Sequence, residues 1–234
     1  MIAERVAANL ASVRRQIEEA VRAAGRSDLP RLVGVTKGRT FPEFFALVSA
    51  GLSHLAENRW ESWISRIEEL PEEFSSPLFW HFIGPIQTRS LKRYYRPLYR
   101  IDTVDSLSHA EAVSRLAASS GIRQGVLIEV NVCRDPGRTG ILPEALVREI
   151  DAMAALPGIL CEGLMIMGPD PKDKGAPPVR EVFSEGQLLW REALKMLPTM
   201  KTLSMGMSED FAEAIRCGST EVRIGRILFE EGTR

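Results

Sequence analysis

The sequence has little of what builds disulfide scaffolds, metal centres or membrane spans. Its 234 residues include only 3 cysteines and 3 histidines. Cys133, Cys161 and Cys217 are widely spaced, odd in number and form no C-x-x-C pair. Reduced thiols are therefore expected, not a disulfide framework or a zinc site. No stretch approaches the roughly 20 apolar residues of a membrane span. The opening segment MIAERVAANLASVRRQIEEAVRAAG alternates charge with apolar residues and lacks the apolar core of a secretory signal. A cytoplasmic protein is the expectation. There is also no excess of one charge: 30 Lys and Arg against 31 Asp and Glu leave a net charge of −1. No global field draws the chain to nucleic acid or to an anionic membrane. Gly and Pro crowd together in one charged stretch only, GPDPKDKGAPP at 168–178. That stretch reads as a mobile loop, and Lys172, Asp173 and Lys174 as its solvated face.

What is present is regular alternation. Ile2, Val6, Leu10, Val13, Ile17, Ala20 and Val21 fall three or four apart and define an amphipathic helix over 2–24, with Gly25 at its end. Strands are expected at 32–36, 53–57, 79–84, 99–104, 125–132, 159–167, 201–205 and 221–225. Helices are expected between them at 41–51, 59–70, 87–95, 106–121, 142–156, 179–197 and 209–218. Such alternation makes a parallel sheet, and eight units close it. The expected fold is α/β: one (β/α)8 TIM-type barrel over 1–234, preceded by an extra N-terminal helix. An open doubly wound sheet is the alternative. The chain ends just after the eighth strand, so no further β domain is expected, and a monomer is.

In such a barrel, chemistry sits where strands run into the following loops. Lys37 follows the apolar strand LVGVT. Partial burial there would depress its pKa, and a neutral amine can form a Schiff base with a carbonyl. A solvated lysine at a strand end is the plainer alternative. The segments SMGMSEDF and VRIGR close strands seven and eight, where barrels commonly bind phosphate. Helix N-termini and glycine turns present N–H groups to an anion. Ser204, Ser208, Gly225 and Arg226 are the candidates, read as facing Lys37 across the mouth. Together they point to a phosphate-bearing carbonyl cofactor. Arg223 alternates with Val222 and Ile224 and so points inward. It would suit a pyridine nitrogen, kept unprotonated by the neighbouring cation, or else a salt bridge to Glu57, Asp102 or Glu129. His81 reads either as a mouth residue or as a core histidine, and Asn58 as a ligand contact or a helix cap. Met165 and Met167 suit packing as well as ring contact. Cys133 has no partner that marks a nucleophile.

Several stretches, LVGVTK, LAENRWES, WHFIGPIQTRS, GLMIMGP and LSMGMSEDFAEAIRCGSTEVRIG, resemble the pyridoxal phosphate homeostasis proteins. That family is similar to the N-terminal barrel of alanine racemases. The resemblance implies pyridoxal 5′-phosphate as cofactor, carried as a Schiff base on Lys37. It implies phosphate contacts from Ser204, Ser208, Gly225 and the Arg226 backbone, and Arg223 near the pyridine nitrogen. Asn58 and His81 match motif positions that line the same mouth, and Met165 is kept as a candidate ring contact. It implies a cofactor carrier in intracellular pyridoxal phosphate homeostasis, not an enzyme, with transient contacts to apoenzymes. A racemase or decarboxylase of low activity is the alternative. Three positions depart from the family pattern. Arg59 stands where a tyrosine is usual, Arg226 where a small hydroxyl residue is usual, and Glu230 where a glycine is usual.

Overall fold

The computed structural model describes residues 1–231. Helix α1 (Ile2–Ala23) leads into alternating elements: β1 (Arg31–Val35), α2 (Phe41–Ser49), β2 (His54–Glu57), α3 (Trp60–Glu68), β3 (Phe79–Phe82), α4 (Thr88–Tyr94), β4 (Arg100–Val104) and α5 (Leu107–Ser119). They continue as β5 (Gln124–Val130), α6 (Leu146–Ala154), β6 (Ile159–Ile166), α7 (Val179–Met196), β7 (Thr202–Met205), α8 (Phe211–Arg216), β8 (Glu221–Ile224) and α9 (Arg226–Phe229). All eight strands pair in parallel in chain order, and β8 closes on β1. The open doubly wound alternative is thereby excluded.

Local chemistry explains the element ends. Thr40 and Glu43 form a capping box ahead of α2, with Pro42 in the first turn. Pro143 starts a 3-10 turn (Pro143–Ala145), so α6 begins later than the periodicity suggests. The helix after β7 is shorter than expected. Its N-cap is Asp210, whose carboxylate accepts from the Met207 N–H at 2.6 Å. Ser208 therefore precedes the cap and is not the cap itself. Asn58 does not cap α3 either; Arg59 holds that position.

Two environments separate across each strand. Outward residues such as Ile101, Val126, Ile128, Leu164, Leu203, Val222 and Ile224 join the helices in one apolar layer. The barrel interior is polar low down and apolar only near the top, where Val33, Val35, Ala56 and Ile83 meet. At its centre Arg100 is fully buried. Its Nε donates to Asp102 Oδ1 at 2.6 Å, and its Nη2 donates to Glu221. Burial alone would raise the Asp102 carboxyl, but the charges of Arg100 and His81 hold it well below the usual carboxylate range. A buried pair of this kind needs both partners, since an unpaired charge in a dry interior is costly.

Candidate functional site

A cavity of about 890 Å³ opens at the end of the barrel where the strands finish. Its floor is set by inward residues at strand ends: Val35, Ile83, Thr103, Glu129, Met165 and Arg223. Its rim carries Lys37, Arg138, Ser208, Glu209, Gly225 and Arg226.

Lys37 lies two residues beyond β1, on a short turn closed by the Arg39 N–H donating to the Thr36 carbonyl. Gly38 takes φ of +71°, a conformation that side chains disfavour. Lys37 is exposed at the rim, not partly buried as expected, because it sits on the Thr36–Arg39 turn beyond the end of β1. Its loop is nonetheless fixed from below. Arg66 on α3 donates through Nη2 to the carbonyls of Thr36 and Arg39, both at 2.8 Å, and through Nε to Glu57 at 2.6 Å. Thr36 Oγ1 donates to the same Glu57 oxygen at 2.7 Å. Arg66 and Glu57 thus set where the lysine stands. The signal for Arg66 was its spacing: it falls three residues after Trp63 on the buried stripe of α3.

Arg223 points into the barrel, as its alternation predicts, and is 5% exposed. No salt bridge to Glu57, Asp102 or Glu129 forms. Glu57 is taken by Arg66, Asp102 by Arg100, and Glu129 Oε1 accepts from Thr139. Arg223 Nη1 instead donates to Ser204 Oγ at 2.7 Å, and Nη2 to the Ile166 carbonyl at 3.1 Å. Burial pushes its pKa down, against the attraction of Asp102 and Glu221 beneath it. It is thus a buried guanidinium on the cavity floor with no carboxylate within salt-bridge reach among the described residues.

Ser204 is fully buried, accepts from Arg223 and is not among the residues that line the cavity. Ser208, Gly225 and Arg226 do line it. The N–H groups of Ser208, Glu209 and Gly225 have no protein acceptor among the described residues. The Arg226 N–H opens α9 and has none within that helix. Helices α8 and α9, of 6 and 4 residues, are too short for a useful dipole, so these donors act as loop groups. Strands β8 and β1 are neighbours, and a β-carbon on Gly225 would lie 3.2 Å from Val35 Cβ. The loop after β8 therefore stands beside Lys37, not across from it, with the loop after β7 next round the barrel. The Arg226 guanidinium spans the rim, donating to Glu209 and Glu230, each at 2.8 Å.

The remaining candidates divide. Met165 is buried beneath the cavity and Met167 is exposed at its edge, both lining it. Asn58 is half-buried and does not line the cavity; Gly84 lies so close that a β-carbon there would come within 2.0 Å of the Asn58 carbonyl oxygen. His81 belongs to the core, its Nε2 3.0 Å from His54 Nδ1 and its Nδ1 3.2 Å from Asp102. The rim placement expected for His81 is thus corrected, because its position in β3 falls a layer below the mouth. Burial, with the charges of His81, Arg31 and Arg100, pushes the His54 pKa down to about 3. His81, Asp102 and Glu221 converge as metal ligands might, but the Arg100 guanidinium already joins all three and supplies the cation.

The electrostatic balance favours an anion. Lys37, Arg138, Arg223 and Arg226 line the cavity against Glu129, Glu209 and Asp210. Burial raises the pKa of Glu129 and of Asp210.

A closed parallel barrel with a lysine beyond its first strand and donor loops after its last two defines an alanine racemase-type barrel. The family described as "Alanine racemase, N-terminal domain" matches residues 8–231. The pyridoxal phosphate homeostasis protein of Aquifex aeolicus is 35% identical over 95% of this chain and 96% of its own length. That of Pseudomonas aeruginosa is 34% identical over 96% and 94%. PipY of Synechococcus elongatus, solved with pyridoxal phosphate bound, is 28% identical with a TM-score of 0.78, over 98% of this chain and 100% of its own. The chain belongs to the family of pyridoxal phosphate homeostasis proteins. No described helix is long and apolar enough to cross a membrane.

Proposed function

We propose that this chain binds pyridoxal 5′-phosphate at the barrel mouth and acts as a carrier in its homeostasis. The observation that carries the reading is the single cavity shared by Lys37, the free N–H groups at Ser208, Glu209 and Gly225, and the unpaired Arg223. The residues fit the group: a lysine amine for the aldehyde, loop donors for the phosphate, an apolar floor for the ring, and Arg223 for the pyridine nitrogen. Bound there, the cofactor supplies an aldehyde for Schiff-base formation and a ring able to delocalise charge. Lys37 provides the amine. Ser208 and the loop N–H groups hold the phosphate end, while Ser204 orients Arg223. Asn58 and His81 act at a distance, through the packing of β2 and β3.

The direct test compares pyridoxal phosphate with pyridoxal. The phosphorylated form binds far more tightly, and Ser208→Ala costs about 1–3 kcal/mol of its affinity, as expected for a charge-assisted hydrogen bond. Equal binding of the two forms contradicts the placement of the phosphate.

The carrier reading also rests on what Arg223 does to a ring nitrogen. A fixed cation there disfavours protonation, so the ring accepts carbanion charge poorly. Turnover would then need bases on both faces of a substrate Cα. The three tyrosines do not help. Tyr95 donates to Gln124, Tyr99 packs against His54 at the lower end of the barrel, and none lines the cavity. Proton NMR of amino acids with saturated protein should show Cα–H exchange below about 1 s⁻¹, near the low end of enzyme turnover. Faster exchange that is lost in Lys37→Ala makes the chain an enzyme instead. Handing the cofactor to apoenzymes by transient contact completes the proposal.

A further inference from the structure

The rim carries an ion pair that the binding reading leaves unused. Arg226 Nη2 donates to Glu209 Oε1 at 2.8 Å, and Arg226 Nη1 to Glu230 Oε1 at 2.8 Å. Arg226 and Glu209 both line the cavity, each from one of the two loops whose N–H groups are unsatisfied. Glu230 does not line it. All three side chains are half-exposed, so none is needed to fill the core. As a stabilising surface pair the contact is worth little. Its position gives it another use. A carboxylate among anion donors works against the anion, and the arginine beside it cancels that charge.

We propose that Glu209 is an affinity-limiting residue for the phosphate end of the ligand, with Arg226 as its counter-charge. The proposal rests on the reading that the phosphate sits on these two loops. In the free protein the Glu209–Arg226 pair is neutral, and Arg226 is shared with Glu230. An arriving phosphate dianion competes for Arg226 and turns Glu209 into a repelling neighbour. The ligand is thereby held at a rim less positive than Lys37, Arg138 and Arg226 alone would make it, which suits a protein that must also let go. The signs of the substitutions follow from the charge each leaves on the pair. Glu209→Gln leaves the pair at +1, Arg226→Ser leaves it at −1, and the double variant returns it to 0.

The experiment measures release of pyridoxal phosphate from the loaded full-length chain, with pyridoxal as a control ligand. Glu209→Gln should slow release and Arg226→Ser should hasten it, each by about threefold to tenfold at low salt, the scale of a unit charge several ångströms away at the water boundary. The double variant should release at close to the wild-type rate. All differences should shrink at high salt, and pyridoxal should respond to none of them. Thermal unfolding of the four apo proteins, unchanged across the set, separates this from misfolding. Glu209→Gln releasing as fast as wild type or faster overturns the proposal, and so does an equal effect on pyridoxal. Wild-type protein that takes up no pyridoxal phosphate overturns the binding reading and this proposal with it.

Discussion

Lys37→Ala is expected to abolish the visible absorption band of protein loaded with pyridoxal phosphate. It should also weaken retention by on the order of a hundredfold, about 3 kcal/mol. Lys37 is the one lysine among the described residues that line the cavity, so no neighbouring amine there replaces it. The Ser208 and Gly225 loops remain, so weak binding through the phosphate should persist. The apo protein should keep its stability, since Lys37 is exposed and surface changes of this kind stay within about 0.5 kcal/mol. The loop is held by Arg66 and Glu57, not by the lysine itself. Spectra and denaturant melts of the variant and wild type check both halves. A retained band, or a large loss of apo stability, contradicts the assignment.

Arg100→Met is expected to be the most damaging change to the fold, costing roughly 3–5 kcal/mol, the usual consequence of stranding buried charge. Asp102 would then stand in a dry barrel without its arginine, and Glu221 would keep only Arg31, at 3.4 Å. The loss should depend on pH with a definite sign. In the wild type the Asp102 carboxyl titrates well below its ordinary value of about 3.9. Its contribution is therefore present above that ordinary value and fades only as pH falls through the depressed one. In the variant, burial without Arg100 raises the Asp102 carboxyl, so the penalty is full near neutral pH and falls as protons bind. The gap between variant and wild type should thus be widest at about pH 7 and narrower at about pH 5. Denaturant midpoints at the two values measure it. A gap that is constant or grows with acid shows that Arg100 stabilises by packing alone.

Much of this architecture is legible in the chain. Strands such as β1 and β5 are largely apolar runs, and alternation in E-V-R-I already turns Arg223 inward. The R-I-D-T-V run of β4 likewise places Arg100 and Asp102 on one face, yet their partners cannot be read locally. Glu221 lies 121 positions from Arg100, and only barrel closure brings them together. The same distance effect hides the roles of Ser204 and His81. Each is a polar inward residue, but one strand position decides between cavity wall and layer beneath. The exposure of Lys37 depends on a turn at Thr36–Arg39 that is held by Arg66, a residue on another helix. Helix α9 is only 4 residues long and carries too little periodicity to detect.

The most direct test of the central claim is borohydride reduction of the chain loaded with pyridoxal phosphate, followed by peptide mapping. The account predicts one pyridoxyl group on Lys37, on the peptide that follows LVGVT. A label on any other lysine, or no label on protein that demonstrably holds the cofactor, would contradict it.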